Sequence, residues 1–444
     1  MMRRAVLGVG LLGALLAMSM PLASAEAVDI KEVTTPLGIK AWLVEDKSVP
    51  VVTLSFSFAG GTATDPEGQK GVTNLMATLL TDGAGPFPAQ VFRQRLEDAA
   101  VSLSFGASHD RLNGSMRMLS ASRQEGFELL RLALALPRFD LEMVDRRRAQ
   151  FLSSVNQGSQ RPTTVAERTL MGIVFANHPY SIDTQGRREA LQSVPIDDIK
   201  QRATALIARD GLIVAAVGDI DEATLARSLD RAFGNLPAST TRPAIPDWTP
   251  PAKARTQIVD RPVPQSAVRM ALPGILRGDP DWYATFVMNH ILDGGGQQSR
   301  LFAEVRDRRG LAYSVSSSLR GYEKAVLLVI STASANERVA DAVRVIRAEM
   351  ARLRNETVGE PELNDAKTYL TGALPVSLDS SGSIASLLHS LQIDRLPRDQ
   401  LDKRAALIGA VTADDVRRMA RRLLRDDLMT TVVVGKPIGL VGDP

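Results

Sequence analysis

Apolar and polar positions follow two rhythms along the chain. Val51-Val52-Thr53-Leu54-Ser55-Phe56-Ser57-Phe58 and Ser266-Ala267-Val268-Arg269-Met270-Ala271-Leu272 are short and alternating or apolar, which predicts strands. Each runs into a turn, Ala59-Gly60-Gly61 or Pro273-Gly274. A helical rhythm follows. Val72, Leu75, Met76, Leu79 and Leu80 fall at i, i+3, i+4, i+7 and i+8, one apolar stripe on a helix over 69–81. Phe127, Leu130 and Leu134 mark a second helix over 123–136. Val343, Ile346, Met350 and Leu353 mark a third over 339–353. Apolar strands ending in glycine close the pattern twice, at 212–218 and 430–435.

These markers recur at a near-constant interval. Leu54 and Val268 lie 214 apart, Asp82 and Asp293 lie 211 apart, and Gly218 and Gly435 lie 217 apart. That regularity points to an internal duplication. Pro237, Pro243, Pro246, Pro250 and Pro251 remove amide donors between the copies, so 237–254 reads as an exposed linker. It separates 26–236 from 255–444. Strands first, helices between and a strand last make each half an α+β domain.

Composition narrows the chemistry. The 444 residues include no cysteine, which excludes disulfides, thiol nucleophiles and thiolate metal sites. The four histidines, His109, His178, His290 and His389, are far apart in sequence. Arg3 and Arg4, an apolar run from Ala5 to Met20, and Ala23-Ser24-Ala25 form a signal-peptide pattern over 1–25. An uncleaved anchor is the alternative, although the run is short for a span of ~20 residues. Losing Arg3 and Arg4 lowers the net charge from +3 to +1. A nearly neutral exported chain is a poor nucleic-acid binder. The expected location is outside the cytoplasm, and the periplasm suits a cysteine-free chain best.

The helix over 69–81 carries the most specific signal. Gly71-Val72-Thr73-Asn74-Leu75-Met76-Ala77-Thr78 resembles the helix on which pitrilysin/insulinase-type metallopeptidases bear the inverted zinc motif H-x-x-E-H. In that register Asn74 and Thr78 replace the histidines and Ala77 replaces the glutamate. The zinc chemistry needs two imidazoles and a carboxylate that activates bound water. The family's third ligand is a glutamate some 75 residues on, and 146–166 contains neither Glu nor His. The resemblance otherwise runs from about residue 30 to 435. Ser104-Phe105-Gly106-Ala107-Ser108 resembles the family's substrate edge strand, and Phe175-Ala176-Asn177-His178-Pro179-Tyr180 resembles a family loop. Ser299-Arg300-Leu301-Phe302, then Arg306, then Gly310-Leu311-Ala312-Tyr313-Ser314-Val315 resembles its second-half signature.

The resemblance implies two homologous domains, each a mainly antiparallel sheet packed with helices, facing each other as a clamshell. It implies that Arg306 and Tyr313 hydrogen-bond substrate and developing oxyanion. A guanidinium and a phenol are suited to that task. It further implies a chain that binds no metal or cofactor and pairs with a homologous zinc-bearing subunit on peptide substrates. The rival readings are a non-proteolytic structural or peptide-binding protein of the same fold, and an active zinc peptidase with unrecognised ligands. Elsewhere, Gly294-Gly295-Gly296 lacks dinucleotide-loop spacing and reads as a turn before a helix. His109-Asp110 reads as an exposed polar pair, His178 as a loop cap, and His290 and His389 as packed helix residues.

Overall fold

The computed structural model describes residues 29–443, so the signal-peptide pattern lies outside the described residues. The first half contributes six main strands: β1 (Lys31–Thr34), β2 (Lys40–Glu45), β3 (Val51–Ala59), then, after a short hairpin of β4 (Gly83–Ala84) and β5 (Phe87–Pro88), β6 (Ser102–Ala107), β7 (Arg111–Leu119) and β8 (Ile213–Gly218). The six form a sheet ordered β1-β2-β8-β3-β7-β6. The second half supplies β9 (Arg255–Asp260), β10 (Gln265–Pro273), β11 (Val315–Gly321), β12 (Val326–Ala335) and β13 (Thr430–Gly435), ordered β11-β12-β10-β13-β9.

These orders are the same topology. In each half the first long strand, β3 or β10, is central and antiparallel to both neighbours. In each, the closing strand pairs in parallel with one from the start of the half, β8 with β2 and β13 with β9. Strand β1 is an addition of the first half. The α+β fold with two homologous halves is therefore present, as the repeated intervals predict.

The helices of the first half are α1 (Val72–Leu79), α2 (Ala89–Asp98), α3 (Arg123–Ala135), α4 (Leu141–Gln160), α5 (Pro162–Val174), α6 (Arg188–Ser193), α7 (Ile196–Leu206) and α8 (Glu222–Phe233). Those of the second are α9 (Trp282–Asn289), α10 (Val339–Asn355), α11 (Glu360–Ser377), α12 (Ser381–Ile393), α13 (Gln400–Gly409) and α14 (Ala413–Leu423). Helix α1 is shorter at both ends than the expected span of 69–81. Gly71, at φ +105°, starts it in a left-handed conformation that favours glycine.

Strand alternation sorts side chains onto two faces. On β3, Leu54, Phe56 and Phe58 pack on the helices of their own half. On β8, Val214 and Ala216 do the same, while Ala215 and Val217 face the other way and meet Ala385 and Leu388 of α12. The second sheet behaves alike. Leu328 and Ile330 of β12 join its own core, whereas Leu327 and Val329 meet Leu170, Met171 and Val174 of α5. Each half thus covers the far face of the other's sheet with one helix. A fully buried Leu170 or Leu388 contributes roughly 1.5–3 kcal/mol to that reciprocal seal. Close approach is needed at Gly114 of β7, where an added Cβ would sit 2.2 Å from the ring of Phe56 across the strand pair.

The 237–254 segment has no helix or strand and most of it is exposed, but a few contacts tie it down. Trp248 Nε1 donates to the Val174 carbonyl at 3.1 Å, Arg242 pairs with Asp210, and Ile245 and Trp248 pack beside α5. Apolar residues among the prolines pin it down. One expectation needs correction: His109 and Asp110 are not exposed. They cap the β6–β7 hairpin, whose tip meets the β11–β12 hairpin of the other half. Asp110 accepts from the Glu323 amide at 3.0 Å and from the Tyr180 hydroxyl, and His109 rests edge-on against Tyr180 and Tyr322. Burial and Asp110 push the Tyr180 hydroxyl above its ordinary range.

Candidate functional site

The N-terminus of α1 is fixed by a buried carboxylate. Asp65 accepts from the amides of Gly71 (2.7 Å) and Thr73 (3.3 Å) and from the Thr73 hydroxyl. Arg202 of α7 lies 3.4 Å from the same carboxylate and donates to Thr73 Oγ1, Thr64 Oγ1 and the Gly61 carbonyl. Burial pushes the Asp65 carboxyl up, and Arg202 opposes that shift. Neither residue stood out in the sequence, because the pair closes over 137 positions of chain.

On this anchored helix the three motif positions have other work. Asn74 donates its amide to the Thr184 carbonyl at 3.1 Å. Thr78 donates to the Leu75 carbonyl of its own helix at 2.8 Å. Ala77 is fully buried. Helix α4 packs against α1 where the third ligand would stand, and it offers polar but uncharged groups there. Ser154 accepts from Gln185 and Asn156 from Arg188. Amide and hydroxyl groups already committed to hydrogen bonds are poor zinc ligands. Among the described residues no cluster of three His, Cys, Asp or Glu could hold a metal ion. The residues present do not fit zinc.

The strand beside this helix is open. Among the described residues β6 pairs only with β7, which leaves its outer backbone edge open for a further strand. Ser104, Phe105, Gly106 and Ala107 lie in it. Ser108 does not: it sits in the following turn, where its hydroxyl and amide bond to Arg111.

The second group is assembled by a turn. Residues Phe302–Asp307 form a π-helical stretch, a feature often found at functional sites. Gly310, at φ +55°, reverses the chain, and the Gly310 and Leu311 amides donate back to Arg306 and Val305. Buried Leu311 and Ala312 plug the turn and bring Tyr313 back over the helix. The Arg306 guanidinium carbon lies 4.9 Å from the Tyr313 ring centre and 4.6 Å from that of Phe302. Tyr313 is 83% exposed. Neighbouring arginines have internal partners: Arg300 grips Glu362 through two 2.7 Å bonds, and Arg308 and Arg309 both reach buried Glu304. Among the described residues Arg306 has none, and it is partly exposed. The two groups belong to different cores, α1 to that of the first half and the 302–307 helix to that of the second.

Residues 40–187 match the family model "Insulinase (Peptidase family M16)", and residues 193–370 match "Peptidase M16 inactive domain". The chain belongs to the insulinase family. Within it, the chain is 27% identical over 289 residues to an uncharacterized zinc protease of Streptomyces coelicolor, SCO5738, covering 64% of this chain and 63% of that one. It is 25% identical over 344 residues to the non-peptidase homolog YmxG of Helicobacter pylori, covering 76% and 78%. Among solved structures, a peptidase M16 inactive domain from Pseudomonas fluorescens superposes with a TM-score of 0.87 at 25% identity, covering 94% of this chain and 99% of that one. The relatives thus include proteins named as zinc proteases and one named as a non-peptidase homolog, and the stretch that holds α1 lies within the insulinase match.

Proposed function

We propose that this chain is the zinc-free subunit of an exported M16 metallopeptidase and works beside a homologous subunit that carries the metal. One observation carries the reading. The zinc positions on α1 are spent on internal hydrogen bonds, while exposed Tyr313 and partly exposed Arg306 are held together with no internal polar partner among the described residues. Presented to a partner's site, both would donate to the substrate backbone and to the scissile carbonyl as it gains charge. The free edge of β6 would hold an extended peptide by strand addition. Export, to the periplasm, rests on the pattern in 1–25. Among the described residues no helix is long and apolar enough to cross a membrane.

The test is to purify the tagged chain from its native cells and identify what accompanies it. The reading expects a chain of similar length with an intact H-x-x-E-H helix, and cleavage of a quenched-fluorescence peptide that a chelator abolishes. A chain that purifies alone, or a complex whose activity ignores Arg306→Ala, defeats it. The relative named as a non-peptidase homolog favours the second reading, a peptide-binding protein without proteolysis. That reading expects the peptide to bind and never be cut.

A further inference from the structure

We infer that Phe302 is a positioning residue that holds the Arg306 guanidinium in place for its acceptor. The inference rests on the assignment of Arg306 to substrate contact. An arginine side chain is long, and immobilising it on binding costs rotamer entropy unless it is already held. Arg306 has no carboxylate to hold it, so its restraint comes from the rings of Phe302 and Tyr313. A cation over a ring face is attracted by the ring quadrupole, and that contact leaves the N–H edge of the guanidinium unspent.

Of the two rings, Phe302 is the firmer support. Tyr313 is almost fully exposed, whereas Phe302 is half-buried and sits four residues before Arg306 on the same helix, next to fully buried Leu301. That helix is tied at its start. Ser299 Oγ donates to Asp293 Oδ1 at 2.8 Å, and Arg300 holds Glu362 of α11. The division of labour follows: Tyr313 offers a phenol to the ligand, and Phe302, which has no polar atom to offer, fixes the cation. If Phe302 were only a packing residue, any apolar side chain of similar bulk would serve.

The experiment uses the full chain without partner or peptide. Nitrogen relaxation of the Arg306 Nε–Hε group, assigned by its loss in Arg306→Lys, is compared in the wild type, Phe302→Leu and Phe302→Tyr. The expected order parameter is roughly 0.8 in the wild type and in Phe302→Tyr, and below about 0.6 in Phe302→Leu, with melting temperature recorded alongside. In the zinc-bearing complex, Phe302→Leu should lower kcat roughly two- to fivefold and Phe302→Tyr restore it. Unchanged Arg306 order in a folded Phe302→Leu chain overturns the inference, as does equal loss of order in Phe302→Tyr. If Phe302→Leu frees Arg306 while an Arg306→Lys complex cleaves peptide at the wild-type rate, the positioning stands and the assignment of Arg306 to substrate contact falls.

Discussion

Ser57 Oγ lies 2.7 Å from His389 Nε2, across the boundary between the two halves. The spacing is that of a nucleophile and its base, but the surroundings assign it another role. Arg111 Nε donates to the same Ser57 oxygen at 2.6 Å, which leaves the hydroxyl proton free to turn to His389. In that arrangement His389 Nε2 accepts and the neutral imidazole carries its proton on Nδ1. Both residues are buried. Helix α12 packs on β3 and β8, which bear no charged side chain, and the charge that acts on His389 is Arg111 of β7. Arg111 in turn feels the charges of Glu323, Asp110 and Arg242.

Burial, with Arg111 adding to it, pushes His389 down to about 4. The folded chain therefore binds fewer protons than the unfolded one between that value and ~6.5, the ordinary value for histidine. This contribution is present above pH ~6.5 and is lost as pH falls towards 4, a drop of about 3 kcal/mol. Urea unfolding at pH 7 and pH 4 measures it. His389→Gln should flatten the pH dependence, and an equal slope in the variant would refute the linkage.

Removing the carboxylate under α1 should be costly. Asp65→Ala leaves Arg202 buried without its counter-charge and strips acceptors from the Gly71 and Thr73 amides. Breaking a buried pair on one side costs about 3–5 kcal/mol. Denaturant midpoints of Asp65→Ala and of Asp65→Ala/Arg202→Met give the comparison, with the double variant expected to recover part of the loss.

Tyr313→Phe should leave stability within about 0.5 kcal/mol, because an 83% exposed hydroxyl has nothing internal to lose. In the reconstituted complex the same change should lower kcat by ~10²–10³, the usual effect of removing one oxyanion donor. A melting temperature that falls while turnover holds would mark Tyr313 as structural.

Rebuilding the motif should not rebuild the enzyme. Asn74→His, Ala77→Glu and Thr78→His together restore H-x-x-E-H, but α4 still offers no carboxylate over 146–160. Glu at the fully buried Ala77 position also places a charge in the core, at a cost of several kcal/mol. The expected triple variant is less stable, binds zinc weakly by metal analysis and cleaves no peptide. Tight stoichiometric zinc would contradict this.

Much of the architecture was legible along the chain. The alternation of Leu54, Phe56 and Phe58 announces a strand, the stripe from Val72 to Leu79 a helix, and the interval near 214 a repeated topology. These are local properties, written in periods of two and 3.6. The vacancy at Asn74, Ala77 and Thr78 was equally legible, since ligand chemistry depends on residue type. So was the turn at Gly310, which only a residue at ease with positive φ allows cheaply.

Tertiary structure decided what covers what. The apolar faces of α5 and α12 show that each is buried, but amphipathicity does not name the sheet that buries it, and each lies on the sheet of the other half. His109-Asp110 looks exposed next to an edge strand because the hairpin tip that meets it is over 200 residues away. Asp65 with Arg202, Ser57 with His389 and Phe302 under Arg306 are likewise decided in space. Sequence by itself determines periodicity, turn chemistry and which ligands are missing, because each depends on residue type and local spacing. Which buried polar groups find each other depends on how the elements pack, and packing depends on the whole chain at once.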